Sequence, residues 1–496
     1  MTVSDFFRDN AFGGHFGSTD HQRKDGMIVR IRPFLNVKKI SKALAAATEP
    51  DEQRVKEFQS AFASWLGAAN AIAVDRGRAA LLLALKILGI REGDEVIVQS
   101  YIFHVVVDAI LEIGARPVLA DSGEEDFNVS PAAIARELTS RTKAIIVTHL
   151  GIPCDMEEIT GIARKHGCYL IENCAHTLGA ECDGKKTGTF GDVSFFSFDV
   201  DKPISTGDGG MLVINNESLL EKAHAILDGY RRVAFAKEKE IVYGLLLHHL
   251  VTGEDIYPEN GFLPVDFGKE AVKSDPCLLS LVESSTKRGD SSEFRALVLP
   301  YLRQRHLLRQ KEPPPMRSFV SRVRGRAHFF FGRASLQKID SHDLLMNSLR
   351  SAVGMACLKD YTSCKAIRDR NVQYYVDHLD NAAYRTPRVK EGKKPAFIRY
   401  AVLNNTRHEN SFITRAAREK GLEIGIFNWS APIHRCYPYN RLLSFDRAKL
   451  QNSEILGARL LSLPVHPYLS EGGLKKIVGF LNGFSVKKGI WEKALA

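Results

Sequence analysis

The chain has no run of eighteen or more apolar residues, the length a helix needs to cross a bilayer. Its opening stretch, MTVSDFFRDNAFGGHFGSTDHQRKDG, lacks the apolar centre and small-residue cleavage site of a secretory leader, so the expected location is the cytoplasm. Cysteine is sparse and scattered. The eight thiols, at Cys154, Cys168, Cys174, Cys182, Cys277, Cys357, Cys364 and Cys436, form no C-x-x-C pair and no Cys/His spacing suited to zinc. A reduced compartment and no metal are therefore expected, and Cys174 reads as a small buried hydrophobe rather than a nucleophile. Also missing is a G-x-G-x-x-G after a strand, which removes the dinucleotide fingerprint of hydride-transfer enzymes.

What is present is the composition of an ordinary folded protein, 44% hydrophobic and 25% charged, in 496 residues that suffice for two or three domains. The net charge of +10 is concentrated: between Lys287 and Arg333 lie twelve lysines and arginines against three acidic residues. The remainder is close to neutral, which argues for a local basic patch and against a nucleic-acid partner.

From Asp51, Val55, Phe58, Phe62 and Trp65 recur at helical spacing until Gly67. The strand NAIAV (Asn70 to Val74) runs into Asp75-Arg76-Gly77-Arg78-Ala79-Ala80-Leu81. At such a junction backbone N–H groups and the positive end of a helix suit a phosphate, though the same residues also suit an ordinary helix start. EVIVQ (Glu95 to Gln99) leads to Phe103, which by itself reads as a core side chain. Strands at Pro117 to Ala120 and Ala144 to Thr148 alternate with helices, one of them opened by Asp155-Met156. This repetition predicts an α/β fold with a mostly parallel sheet between helices and ligand loops at the strand C-termini.

The stretch from Tyr169 to Asn216 carries the chemistry. One apolar run leads to Asn173; a second, Asp192 to Phe198, holds Ser197 and is followed by Lys202. Thr206, Gly207, Gly209 and Gly210 let the chain turn back into the strand Met211 to Ile214. A lysine held beside a hydroxyl and glycines can form a Schiff base with an aldehyde cofactor; a solvated loop charge is the other reading of the same residue.

The ordered blocks IENCAHTLGA, FSFDVDK and TGDGG resemble the I-E-D-x-A-[QH]-x-x-G-A, F-S-F-x-x-x-K and T-G-x-G-G motifs of the DegT/DnrJ/StrS sugar aminotransferases. These are fold type I enzymes that use pyridoxal 5'-phosphate (PLP). The 29 positions from Asn173 to Lys202 match the spacing of the family's ring-nitrogen ligand and lysine. The resemblance covers roughly residues 40–230 and 341–485. It implies an α/β large domain, with a mostly parallel seven-stranded sheet between helices, and a smaller α+β C-terminal domain. The implied division is an extension at 1–40, the PLP-binding large domain at 41–230, a basic insertion of unread fold at 231–340, and the small domain at 341–496.

The resemblance also implies Lys202 as the catalytic residue and Gly77, Arg78, Phe103, Asn173, His176, Ser197 and Lys202 as cofactor contacts. It implies glutamate or glutamine as amino donor, a keto sugar, nucleotide-linked, as acceptor, and a homodimer. Four positions depart from the pattern. Arg78 replaces a threonine, the loop His149-Leu150-Gly151-Ile152-Pro153 is one residue short, and Asp343 replaces an asparagine that reaches the partner's cofactor phosphate. Asn173 replaces the aspartate that keeps the pyridine nitrogen protonated; an amide can donate to that nitrogen but brings no charge. The alternative is thus a non-transaminating member of the fold with a regulatory role or altered PLP chemistry.

The insertion carries the basic segment, Pro313-Pro314-Pro315 and Phe329-Phe330-Phe331. Arg303, Arg305 and Arg309, or Arg322, Arg324 and Arg326, suit the phosphates of a nucleotide-linked substrate. Anionic lipid is a second partner, with Phe319, Val320 and Val323 beside the arginines, and a solvated basic face is a third reading.

Overall fold

The computed structural model describes residues 28–252, 267–287, 291–304, 343–426 and 431–485. The first long helix, α1 (Glu52–Leu66), starts where the Asp51 carboxylate accepts the N–H groups of Gln53 and Arg54, and it stops at Gly67 in a left-handed conformation. Its buried face is Val55, Phe58, Phe62 and Leu66, the helical spacing seen in the sequence with Leu66 added and Trp65 only partly buried.

The chain then alternates β1 (Asn70–Val74), α2 (Gly77–Leu88), β2 (Glu95–Gln99), α3 (His104–Glu112), β3 (Arg116–Ala120), β4 (Thr142–Thr148), α4 (Met156–His166), β5 (Tyr169–Asn173), β6 (Val193–Ser197) and β7 (Gly210–Ile214). These strands lie side by side as β1-β7-β6-β5-β4-β2-β3. Every pairing is parallel except those of β7, which runs antiparallel to both β1 and β6. Helix α2 is apolar on all sides and nine of its twelve residues are buried, so its N-terminus is held rigidly at the sheet's edge.

The sheet has nine strands rather than the expected seven. Two short strands, β8 (Arg231–Arg232) and β9 (Leu344–Leu345), pair with each other and extend the sheet beyond β1. Helix α5 (Phe235–Val251) packs into the same core as α1, and the turn at Gly207 lies against it: a Cβ there would stand 2.7 Å from Ile241 O. The start of the stretch assigned to the insertion is therefore built into the large domain. Helix α6 (Phe267–Ser274) follows against α5. Arg305, Arg309, Arg322, Arg324, Arg326, Pro313 to Pro315 and Phe329 to Phe331 lie outside the described residues.

Helix α7 (Ser348–His378) runs from the large domain to the small one. The small domain holds an antiparallel sheet in the order β10 (Tyr384–Arg385), β11 (Tyr400–Asn404), β13 (Leu460–Leu463) and β12 (Gly425–Ile426), packed on the helices Asn410–Glu419 and Glu471–Asn482. No helix among the described residues is long and apolar enough to cross a membrane.

Candidate active site

Strand β7 begins at Gly210, which pairs with Val74 on one side and Ser197 on the other. The last residues of β1 and β6 are thereby drawn to one point, and the α2 N-terminus closes on it. A Cβ on Gly77 would stand 3.1 Å from Ser197 Cβ and 3.4 Å from Phe196 O, so only glycine allows this approach without displacing a neighbour. The structure thus brings Gly77, Arg78 and Ser197 together. No side chain caps α2, whose first N–H groups lack intrahelical acceptors by geometry, and the buried Nε of Arg78 makes no hydrogen bond among the described residues.

Asn173 ends β5 and is buried. Its Oδ1 accepts the Ala175 N–H at 3.1 Å and its Nδ2 donates to Thr148 Oγ1 at 3.1 Å, which fixes the amide and leaves one N–H donor. Behind it, the buried Glu172 carboxylate accepts N–H groups from Gly188, Phe190 and Gly191 and the Nε2–H of His149 at 3.2 Å. His149 Nδ1 accepts the Cys154 N–H, which sets that tautomer. His149, Glu172 and Cys174 offer ligand atoms within 4.8 Å of one another, but the carboxylate and imidazole lone pairs are already committed, so the group is a structural brace and not a metal centre. Burial, with Glu172 beside it, pushes the Cys174 thiol well up, the state of a packed apolar side chain.

Lys202 lies on the loop between β6 and β7. That loop is closed by Phe198 N–H to Gly209 O, Thr206 N–H to Phe198 O and Lys202 N–H to Asp199 O. The residue is 8% exposed, and its Nζ stands 3.2 Å from Asp201 Oδ1. Asp201 is also paired with Arg399 of the small domain. Burial alone would raise Asp201, yet Lys202 and Arg399 hold it well below the usual carboxylate range. Burial, then the Lys202 charge, drives His176 well below the usual histidine range, so it is neutral at pH 7. Asp199 is pushed up to about 6 by burial and then by the charges of Asp208 and Asp201. Phe103 lies four residues past the end of β2 and directly before α3, half-buried, after the strand two places from β5 along the same edge of the sheet.

Sequence reasoning missed the ionic frame around these residues. Arg350, fully buried, donates to Glu238 Oε1 at 2.8 Å, to Asp75 Oδ1 at 2.8 Å and to the Asp208 carbonyl at 3.2 Å. Asp199 and Asp201 closely precede Lys202 in the sequence and were a visible signal; Arg399, Arg350 and Glu238 gave none. Asp343, at 61% side-chain exposure, bonds Lys86 of its own chain.

The residues present fit a phosphorylated pyridine aldehyde. The uncapped α2 N-terminus beside Gly77, Arg78 and Ser197 suits the phosphate, the free Asn173 N–H suits the ring nitrogen, and Lys202 suits the carbonyl.

The sequence profile of the DegT/DnrJ/EryC1/StrS aminotransferase family matches residues 36–245 and 324–482. A GDP-perosamine synthase of Vibrio cholerae is 41% identical over 169 residues, which are 34% of this chain and 46% of that protein. A UDP-N-acetyl-3-dehydro-alpha-D-glucosamine 3-aminotransferase of Acidithiobacillus ferrooxidans is 39% identical over 34% of this chain and 47% of its own length. The chain therefore spans about half the length of these curated relatives. Among solved structures, an aminotransferase from Psychrobacter cryohalolentis superposes with a TM-score of 0.64 at 23% identity, covering 92% of this chain and 98% of that one. DesI, solved in the presence of its TDP-sugar product, gives 0.65 at 19% identity over 94% of each chain. At these identities the superpositions speak for the fold.

Proposed function

We propose that this chain, which belongs to the DegT/DnrJ/EryC1/StrS aminotransferase family, is a PLP-dependent sugar aminotransferase that moves an amino group from glutamate or glutamine to a nucleotide-linked keto sugar. The observation that carries this reading is Lys202, a buried lysine on a closed loop at the C-terminal edge of the sheet, with Asp201 at its side. The sugar acceptor is supported by the names of the relatives above, and its nucleotide by the GDP, UDP and TDP groups those names carry. The homodimer belongs to the same reading and is checked by sedimentation.

Bound PLP supplies a carbonyl that condenses with amines and a ring that draws electrons from the carbon being deprotonated. Gly77, Arg78 and Ser197 would hold its phosphate, and Phe103 and His176 would bound the ring. Lys202 Nζ would hold the cofactor through its carbonyl and, when the donor amine takes its place, would accept the proton from the donor Cα and return it on the cofactor side. Asp201, itself held by Arg399, positions the ammonium of Lys202 between these tasks. Asn173, whose amide keeps one N–H beyond its bond to Thr148, would donate it to the ring nitrogen.

Asn173 also favours a second reading, in which the weaker electron sink supports altered PLP chemistry without transamination. Protein loaded with PLP should show the visible band of lysine-bound cofactor and lose it on addition of glutamate or glutamine, and Lys202→Ala should show no band. A band that persists with either donor supports the second reading; a fully active Lys202→Ala protein overturns both.

A further inference from the structure

Lys269 sits on α6, in the part of the chain between the two blocks matched by the family profile. Its place is set by a crossing of α5 and α6 at which backbones touch. A Cβ on Gly244 would stand 2.6 Å from Lys269 Cα, and a Cβ on Gly268 would collide with Gly244 O, so neither position admits a larger residue. The crossing sends the Lys269 ammonium to Asp208, 2.7 Å from Oδ2, and Arg76 Nε approaches the same oxygen at 3.6 Å. Arg76 immediately precedes Gly77, and a Cβ on Gly210 would stand 2.7 Å from Gly77 N, so this ionic group abuts the α2 N-terminus.

The charges around that N-terminus nearly cancel. Arg350 and Arg76 bond Asp75, Arg350 bonds Glu238, and Lys269 and Arg76 share Asp208. Arg78 is a fourth cation, and the Asp108 and Glu112 carboxylates face it in turn. Lys202 and Arg399 are matched by Asp199 and Asp201. Loss of Lys269 therefore removes one of only four cations from a group that has no positive charge to spare.

We propose that Lys269 is a phosphate-positioning residue of the cofactor site, an ammonium that this chain brings from outside the family pattern to hold a phosphate dianion at the N-terminus of α2. The inference rests on the cofactor reading above. It makes α6 part of the site and ties cofactor binding to the folding of the segment that carries it.

The test compares pyridoxamine 5'-phosphate with pyridoxamine, which differ only by the phosphate, by calorimetric titration of the full-length apoprotein. Lys269→Gln should weaken the phosphorylated compound about 10- to 100-fold, the range for a charge-assisted contact, and change pyridoxamine by less than about 2-fold. Lys269→Arg should restore most of the loss. Denaturation midpoints of both variants check that the fold is intact. Equal weakening of both compounds, or of neither, overturns the proposal. Wild-type protein that binds neither compound overturns the proposed function, and this inference with it.

Discussion

Replacing Asn173 with aspartate tests how the site sets the electronics of the ring. In the native chain the amide is buried, accepting from Ala175 and donating to Thr148. In Asn173→Asp one oxygen keeps the Ala175 N–H, the Thr148 hydroxyl turns to donate to the other, and a negative charge appears with no cation bonded to it. Without cofactor, that buried carboxylate should cost about 1–3 kcal/mol. With cofactor, it meets the ring nitrogen as a charge-assisted pair worth about 1.5–3 kcal/mol, or about 10- to 100-fold in the half-reaction if that energy is expressed in the transition state. The variant should therefore be less stable than wild type as apoprotein, gain more from PLP, and discharge its visible band faster with glutamate or glutamine. Chemical denaturation of both forms and single-turnover absorbance measure these quantities. Unchanged stability, spectrum and rate would refute the placement of Asn173 against the ring nitrogen.

Asp199 has a raised native pKa of about 6, so between about pH 4 and pH 6 the native protein binds more protons than the unfolded chain and loses stability as pH rises. Asp199→Asn, which keeps the oxygen that accepts the Val200 N–H, should match wild type below about pH 4 and exceed it by up to about 3 kcal/mol above pH 6 in denaturant titrations. Glu238 accepts the backbone N–H groups of Asn347, Leu349 and Arg350 at the start of α7 as well as the Arg350 guanidinium. Glu238→Gln should cost about 3 kcal/mol in the same assay, because Arg350 keeps only Asp75 as a buried carboxylate partner.

The parts of the fold that the sequence made legible are those written locally. Asp51 and Gly67 bracket α1, NAIAV and EVIVQ are strands at their expected limits, and the turn through Gly207, Gly209 and Gly210 returns the chain beside Ser197. Gly77 and Ser197 meet as their motifs suggested, since one glycine and one strand pairing suffice. The ionic frame was not legible because its partners are far apart in the chain: Arg399 and Asp201 by 198 residues, Arg350 and Glu238 by 112, Lys269 and Asp208 by 61. No periodicity encodes such pairs. The short strands β8 and β9 escaped notice for a related reason, two residues being too few to show alternation, and they carry into the large domain the first residues beyond the point where the resemblance breaks off and the first residues after it resumes.

The central claim is that Lys202 is the residue that holds the cofactor. Full-length protein loaded with PLP and reduced with borohydride should yield, on proteolysis and mass spectrometry, a single phosphopyridoxyl adduct on the peptide containing Lys202. Adducts spread over surface lysines, or one unique adduct at any other lysine, would contradict it.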